Sequence, residues 1–253
     1  MDGRPSITRR RGIYLLPNLV TTCGLFAGFY SIVASIDGNF NRAALAIFAA
    51  MLFDGLDGRV ARLTSTSSEF GKEFDSLSDM VSFGLAPALV IYQWGVQRLI
   101  EYGAVWGRLG WLAAFLYVAA AAFRLARFNT NHVVQDRRFF QGLASPAAAA
   151  VVASMVWLAT DAGIEGLTAL VAGITVTAIT ALLMMSRFAY LSFKDISPGK
   201  RVRFANLLLI PLVLIVIAIK PEITIFVLFL AYAASGPAAW LWRRRRRQDA
   251  QSS

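Results

Sequence analysis

The amino-acid sequence predicts an all-α polytopic membrane protein, and three observations predict it. Hydrophobic residues make up 57% of the 253 positions, charged residues only 16%, and the mean hydropathy is +0.57. A soluble domain carries about 25% charged residues, so too few charges remain here to cover a soluble surface. The apolar residues fall in runs of about 20, the length of helix that crosses a hydrocarbon core. The basic residues are unevenly divided between alternate connecting segments. The same composition excludes a disordered chain, a collagen-like fibre and a disulfide-stapled mini-protein.

Eight runs qualify as spans: 13–36, 42–63, 74–95, 107–128, 143–160, 164–186, 203–220 and 221–242. The first begins too late and is too polar inside (Pro17, Asn18, Thr21, Thr22) for a cleaved signal peptide. The short polar stretch 64–70 lets the second and third helices return antiparallel. The run from Arg203 to Trp242 is too long for one span, and Lys220-Pro221 favours a turn that divides it.

Charge fixes the expected orientation. With an internal N-terminus and eight spans, the inside segments hold Arg4, Arg9, Arg10, Arg11, Lys72, Arg137, Arg138, Arg187, Lys194, Lys200, Arg201, Arg203 and Arg243 to Arg247. The outside segments hold Arg42, Arg98, Arg108 and Lys220, so the ratio is 17 to 4. This fits the positive-inside rule and places both termini in the cytoplasm. The net charge of +10 is therefore mostly topological. The Arg243–Arg247 run reads as a topology anchor touching anionic headgroups. No aromatic residue interleaves it, so nucleic acid is not an expected partner. With no linker and no tandem repeat, 1–253 reads as one integral-membrane domain with polar tails at 1–12 and 243–253.

The chemistry lies in the few acidic residues. The second and third spans contain Asp54-Gly55-Leu56-Asp57-Gly58-Arg59-Val60-Ala61-Arg62 and Gly71-Lys72-Glu73-Phe74-Asp75-Ser76-Leu77-Ser78-Asp79. A charge near mid-bilayer costs a few kcal/mol. Asp54 and Asp57 are three residues apart, and Asp75 and Asp79 four apart, so each pair shares a helix face. Antiparallel return brings the faces together as a box of four carboxylates at the cytoplasmic end. Such a box repels itself unless cations fill it, and two divalent ions about 3.5–4 Å apart would neutralise it. The single His132 and single Cys23 exclude a zinc set, which leaves oxygen-loving Mg2+, Mn2+ or Ca2+. Gly55, Gly58 and Ala61 keep one helix flank bare for a bulky ligand. Arg62, one turn beyond Gly58, is suited to grip a phosphate. A purely structural reading pairs the aspartates with Arg59, Arg62 and Lys72 and accounts for two or three of the four.

The pattern Asp-x2-Asp-Gly-x2-Ala-Arg-x8-Gly-x3-Asp-x3-Asp, complete from Asp54 to Asp79, resembles the signature of the CDP-alcohol phosphotransferases. The resemblance implies a fold with a six-helix catalytic core and a reaction in which an alcohol attacks a membrane-bound CDP-linked donor and CMP leaves. It implies that Asp54, Asp57 and Asp75 hold two metal ions, Mg2+ or Mn2+, and that Asp79 completes the metal site and acts as general base. It assigns Asn18, Thr21, Gly58, Ala61, Arg62, Ser68 and Gly71 to the CDP-linked donor, and it implies a homodimer. Three stretches outside the signature resemble the serine-using branch, whose donor is CDP-diacylglycerol: Asp75 to Pro87, Phe123 to Asn129 with Phe140 to Pro146, and Leu183 to Lys194. Met80 stands where the glycerol-phosphate branch tends to have Lys, and Ala144 stands where the serine branch has proline.

L-Serine is zwitterionic, so its carboxylate needs cations and its ammonium needs acceptors. Arg124 and Arg127, one turn apart at the inner end of the fourth span, are candidates for the first, and their spacing favours neither. Their structural alternative is an interfacial anchor. Ser82 and Asn129 are candidates for the ammonium or for orienting the hydroxyl. Arg187 and Lys194 are candidates for the donor phosphates or for lipid headgroups. The expected setting is a bacterial inner membrane with the site facing the cytoplasm. Two rivals stand beside this reading: a relative using choline, inositol phosphate or glycerol phosphate, and a cation transporter with the aspartates as its transport site.

Overall fold

A computed structural model describes residues 15–64, 68–130, 139–164, 166–191 and 219–251. Its elements are α1 (Leu15–Ile36), α2 (Phe40–Thr64), α3 (Glu69–Asp79), a π-helical turn (Met80–Leu85), α4 (Ala86–Trp94), a 3-10 turn (Val96–Tyr102), α5 (Ala104–Thr130), β1 (Phe139–Gln141), α6 (Ser145–Asp161), α7 (Leu167–Met185), β2 (Ala189–Leu191) and α8 (Pro221–Gln251). Helices thus occupy seven of the expected spans, and the eighth, 203–220, lies outside the described residues except at its last two positions. Among the described residues, five stretches are long and apolar enough to cross a membrane: Leu16–Ile36, Glu69–Tyr102, Ala104–Thr130, Leu167–Met185 and Pro221–Arg245. α2 is long enough at 25 residues, but Arg42, Asp54, Asp57, Arg59 and Arg62 lower its apolarity.

α1 and α2 form a hairpin turned by Asp37-Gly38-Asn39, where Gly38 takes φ +75° and the Asn39 amide reaches the Ala34 carbonyl at 2.8 Å. Small residues bring the two helices close. Ala27, Ala34, Ala43, Ala44 and Ala50 are buried along the hairpin, and Ser31 Oγ donates to the Ala43 carbonyl at 2.8 Å. Packing in lipid depends on such close approach, because lipid tails are as apolar as the helices.

The third span is one continuous helical rod with a π-helical turn inside it. Pro87, in the first turn of α4, has no N–H to give to the Phe83 carbonyl four residues earlier. The Ala86 amide instead reaches back five residues to the Val81 carbonyl. The Tyr117 hydroxyl, fully buried on α5, donates to the Phe83 carbonyl at 3.1 Å. The π turn follows Asp79 directly, and single π turns inside helices are frequent at functional sites.

α6 sits at the centre. Every residue from Ala147 to Val156 is buried, and α6 packs against α2, α4, α7 and α8. A helix apolar all round belongs in a core, which is why 17 residues suffice for it.

Two features depart from the expected all-α architecture. β1 and β2 form a two-stranded antiparallel ribbon pairing Phe140 with Tyr190. The Tyr190 hydroxyl donates to the Ala233 carbonyl at 2.9 Å, tying the ribbon to α8. Burial, and then Tyr232 beside it, push the Tyr190 phenol up to about 12, so it keeps the proton it donates. α8 also runs on as helix through Arg243–Arg247 to Gln251, where the sequence reads as a polar tail.

Gly28 of α1 faces the π turn, where an added Cβ would stand 2.7 Å from Ser82 Cα. An added Cβ at Gly55 meets nothing within 4 Å. Gly28→Ala should therefore lower the midpoint of thermal unfolding in detergent by about 3–10 °C, and Gly55→Ala should leave it unchanged or raise it slightly. Equal behaviour of the two variants would contradict this packing.

Candidate active site

The hairpin α1–α2 and the rod that begins with α3 meet at a cluster of carboxylates. Ser68 caps α3, its Oγ accepting from the Gly71 amide at 3.0 Å, and so fixes where the α3 face begins. Asp75, Ser78, Asp79 and Ser82 share that face. Asp54 and Asp57 approach from α2. One carboxylate oxygen from each of Asp54, Asp57 and Asp75 lies within 4.8 Å of the others. Asp57 is buried and accepts from Thr21 Oγ1 at 2.8 Å. The Thr21 hydroxyl also lies 3.1 Å from the Pro17 carbonyl, and its bond to Asp57 ties the orientation of that carboxylate to α1. Ser78 and Ser82 donate to the Thr21 and Gly24 carbonyls at 3.3 and 3.2 Å, which clamps α1 to the rod on both sides of Asp79.

Two recesses share this centre. The deeper one is lined by Asp54, Asp57, Asp75 and Asp79 with Thr21, Gly24, Ala50, Ser78, Ser82 and Phe83. The outer one, a cavity of about 100 Å3, is lined by Pro17, Asn18, Thr21, Asp57, Gly58, Ala61, Ser68, Gly71, Lys72 and Asp75. It therefore gathers six of the seven residues expected at the donor: Asn18, Thr21, Gly58, Ala61, Ser68 and Gly71. The side chain of the seventh, Arg62, lies outside the described residues. An added Cβ at Gly71 would stand 3.3 Å from Asn18 Oδ1, whereas at Gly58 nothing lies within 4 Å. Gly58 thus leaves its flank of α2 open to the cavity.

The residues expected at serine do not share one pocket. Ser82 is buried in the deep recess, its hydroxyl committed to Gly24. Arg124 is held inside the bundle, its Nη1 donating to Ser145 Oγ at 3.0 Å. Arg127 Nη2 donates to the Gln141 carbonyl of β1 at 2.9 Å. Asn129 is exposed and donates to Ser76 Oγ at 2.9 Å. Arg187 is exposed between α7 and β2, and Lys194 lies outside the described residues.

A family model described as CDP-alcohol phosphatidyltransferase matches residues 14–234. The chain belongs to the CDP-alcohol phosphatidyltransferase family. It is accordingly an enzyme, a phosphotransferase of helical membrane character. Among its relatives, the CDP-diacylglycerol–serine O-phosphatidyltransferase of Helicobacter pylori is 35% identical over 91% of this chain and 92% of its own. The enzyme of that name from Mycobacterium leprae is 30% identical over 99% of this chain and 87% of its own. The archaetidylserine synthase of Methanothermobacter thermautotrophicus is 40% identical over 55% of this chain and 56% of its own. CDP-alcohol phosphatidyltransferases are metal-dependent. The donor set fits that requirement, since three convergent carboxylates, all oxygen, suit a hard divalent cation.

Sequence reasoning missed several residues that line the two recesses. Ser78 lies three residues beyond Asp75 and Lys72 three before it, a helix-face signal that was available. Gly24 follows Thr21 by three in the same way. Ser145, which meets Arg124 and lines neither recess, carried no such signal, because that contact joins two helices. Thr21→Val should raise the Mg2+ concentration for half-maximal CMP release about tenfold, the usual cost of losing a group that orients a metal ligand, with unfolding temperature little changed. An unaltered Mg2+ titration would remove Thr21 from that role.

Proposed function

We propose that the chain transfers the phosphatidyl group of CDP-diacylglycerol to the hydroxyl of L-serine, releasing CMP. The observation that carries the reading is the likeness to the serine phosphatidyltransferase of Helicobacter pylori along nearly the whole length of both chains. The convergence of Asp54, Asp57 and Asp75 beneath an outer cavity supports the chemistry.

In this reading the nucleotide and diphosphate enter the outer cavity, against Asn18 and Thr21 of α1 and the bare flank of α2 at Gly58 and Ala61. Arg62, Ser68 and Gly71 complete that wall. The acyl chains stay in lipid. Asp54, Asp57, Asp75 and Asp79 would hold two divalent cations, Mg2+ or Mn2+, which when bound offset the charge of the diphosphate and of the departing CMP. Asp79 takes the proton from the serine hydroxyl. The serine oxygen forms its bond to the phosphorus that carries diacylglycerol, the bond from that phosphorus to the CMP oxygen breaks, and CMP leaves with the electron pair. The residues contribute mainly position and electrostatics. Eight spans, both termini in the cytoplasm, a site facing the cytoplasm of a bacterial inner membrane and a homodimeric assembly complete the proposal. The charge bias of the sequence supports the orientation.

Asp79→Asn should abolish serine-dependent CMP release while leaving CDP-diacylglycerol binding close to the wild type. Full turnover in that variant would refute the base assignment. Wild-type protein should release CMP with L-serine and CDP-diacylglycerol, lose that activity in a chelator and regain it with Mg2+ or Mn2+. Metal-dependent CMP release with choline or glycerol phosphate but none with serine would replace the acceptor.

A further inference from the structure

The side of the site built by α5 and α6 holds a half-buried cation with unused donors. Arg124 Nη1 donates to Ser145 Oγ at 3.0 Å, its one hydrogen bond among the described residues. Its Nε is buried and has no partner. A guanidinium carries five N–H donors in a rigid fork, and an orphaned buried donor is costly enough to require an explanation. Arg124 is near enough to Asp79 for their charges to interact, yet among the described residues no ion pair within 4.0 Å joins them. A cation thus stands near Asp79 without a direct ion pair to it.

Arg127, three residues later, is used differently. Its Nη2 is spent on the Gln141 carbonyl and stands 3.3 Å from where a Cβ on Gly142 would lie. It is a strut between the end of α5 and the ribbon.

The stretch Gly142 to Pro146 delivers Ser145 to Arg124. Gly142 has φ +78° and no room for a Cβ against the Met184 carbonyl. Its amide reaches Phe188 and that of Leu143 reaches Leu183, at 2.9 and 3.0 Å. The loop is therefore clamped to the end of α7. Ser145 then opens α6, fully buried, with Pro146 behind it.

We propose that Arg124 receives the carboxylate of the acceptor and that Ser145 is the positioning residue that aims it. A carboxylate accepts two parallel N–H bonds from a guanidinium edge, and Nε supplies one donor of such an edge. This inference rests on the serine reading of the preceding section and decides between the two arginines. It makes Arg124 the group that separates amino acids bearing a hydroxyl from amino alcohols lacking the carboxylate.

The test uses the full-length protein in phospholipid nanodiscs and follows CMP release with CDP-diacylglycerol and either L-serine or serinol, in which hydroxymethyl replaces the carboxylate. Arg124→Lys should raise the KM for L-serine about 10- to 100-fold, leave the KM for CDP-diacylglycerol at its wild-type value and erase the preference for serine over serinol. Ser145→Ala should shift the same ratio in the same direction, about 3- to 10-fold, and it decides the matter if Arg124→Lys fails to fold. Arg127→Lys should keep the wild-type ratio whatever its rate. A rise in donor KM in place of serine KM, or an unchanged serine-to-serinol ratio in both the Arg124 and Ser145 variants, overturns the inference alone. Wild-type protein that releases no CMP with L-serine overturns the acceptor reading, and the inference with it.

Discussion

Negative charge held between membrane helices is the constraint from which most of this architecture follows. Three carboxylates whose oxygens lie within 4.8 Å of one another repel in a medium of low dielectric and must be oriented by something other than water. α1 performs much of that orientation. Thr21 donates to Asp57, and its carbonyl accepts from Ser78 on the opposite helix. A hydroxyl reaches a neighbouring backbone only when the helices approach closely, which is why Gly28 faces the rod at Ser82, where a side chain would hold it off.

The second half of the chain serves the same end from behind. α6 carries small residues along its buried length, so α2, α4, α7 and α8 can all pack on it. Pro87 loosens the rod just beyond Asp79, and the Tyr117 hydroxyl compensates the carbonyl that the proline cannot serve. The irregular turn is thus held by a specific donor on α5, the helix that also carries Arg124.

Much of this was legible in the sequence, for identifiable reasons. Spans are readable because about 20 apolar residues in a row have few other uses. Asp54, Asp57 and Asp75 are readable because helical spacing fixes their faces and because acidic residues are scarce in such a chain. Asn18, Gly58, Ala61, Ser68 and Gly71 are legible only through family resemblance, and they line one cavity. The β1–β2 ribbon was not legible, since three-residue strands leave no periodic signal. The separation of Arg124 from Arg127 was not legible either. Three residues apart on a helix, they share a face by spacing alone, and only the loop at Gly142 distinguishes their partners.

The order of the elements along the chain has a consequence for biogenesis. All four aspartates and the threonine that steadies Asp57 are synthesised by residue 79, whereas Arg124 and Ser145 come later. Chains emerge from the ribosome N-terminal end first. The acidic helices are therefore made before the α5 cation whose charge Asp79 feels in the finished fold. The α1–α2–α3 unit carries its own hydroxyl donors, Thr21 to Asp57 and Ser78 to the Thr21 carbonyl, so the orientation of Asp57 draws on nothing from the second half of the chain.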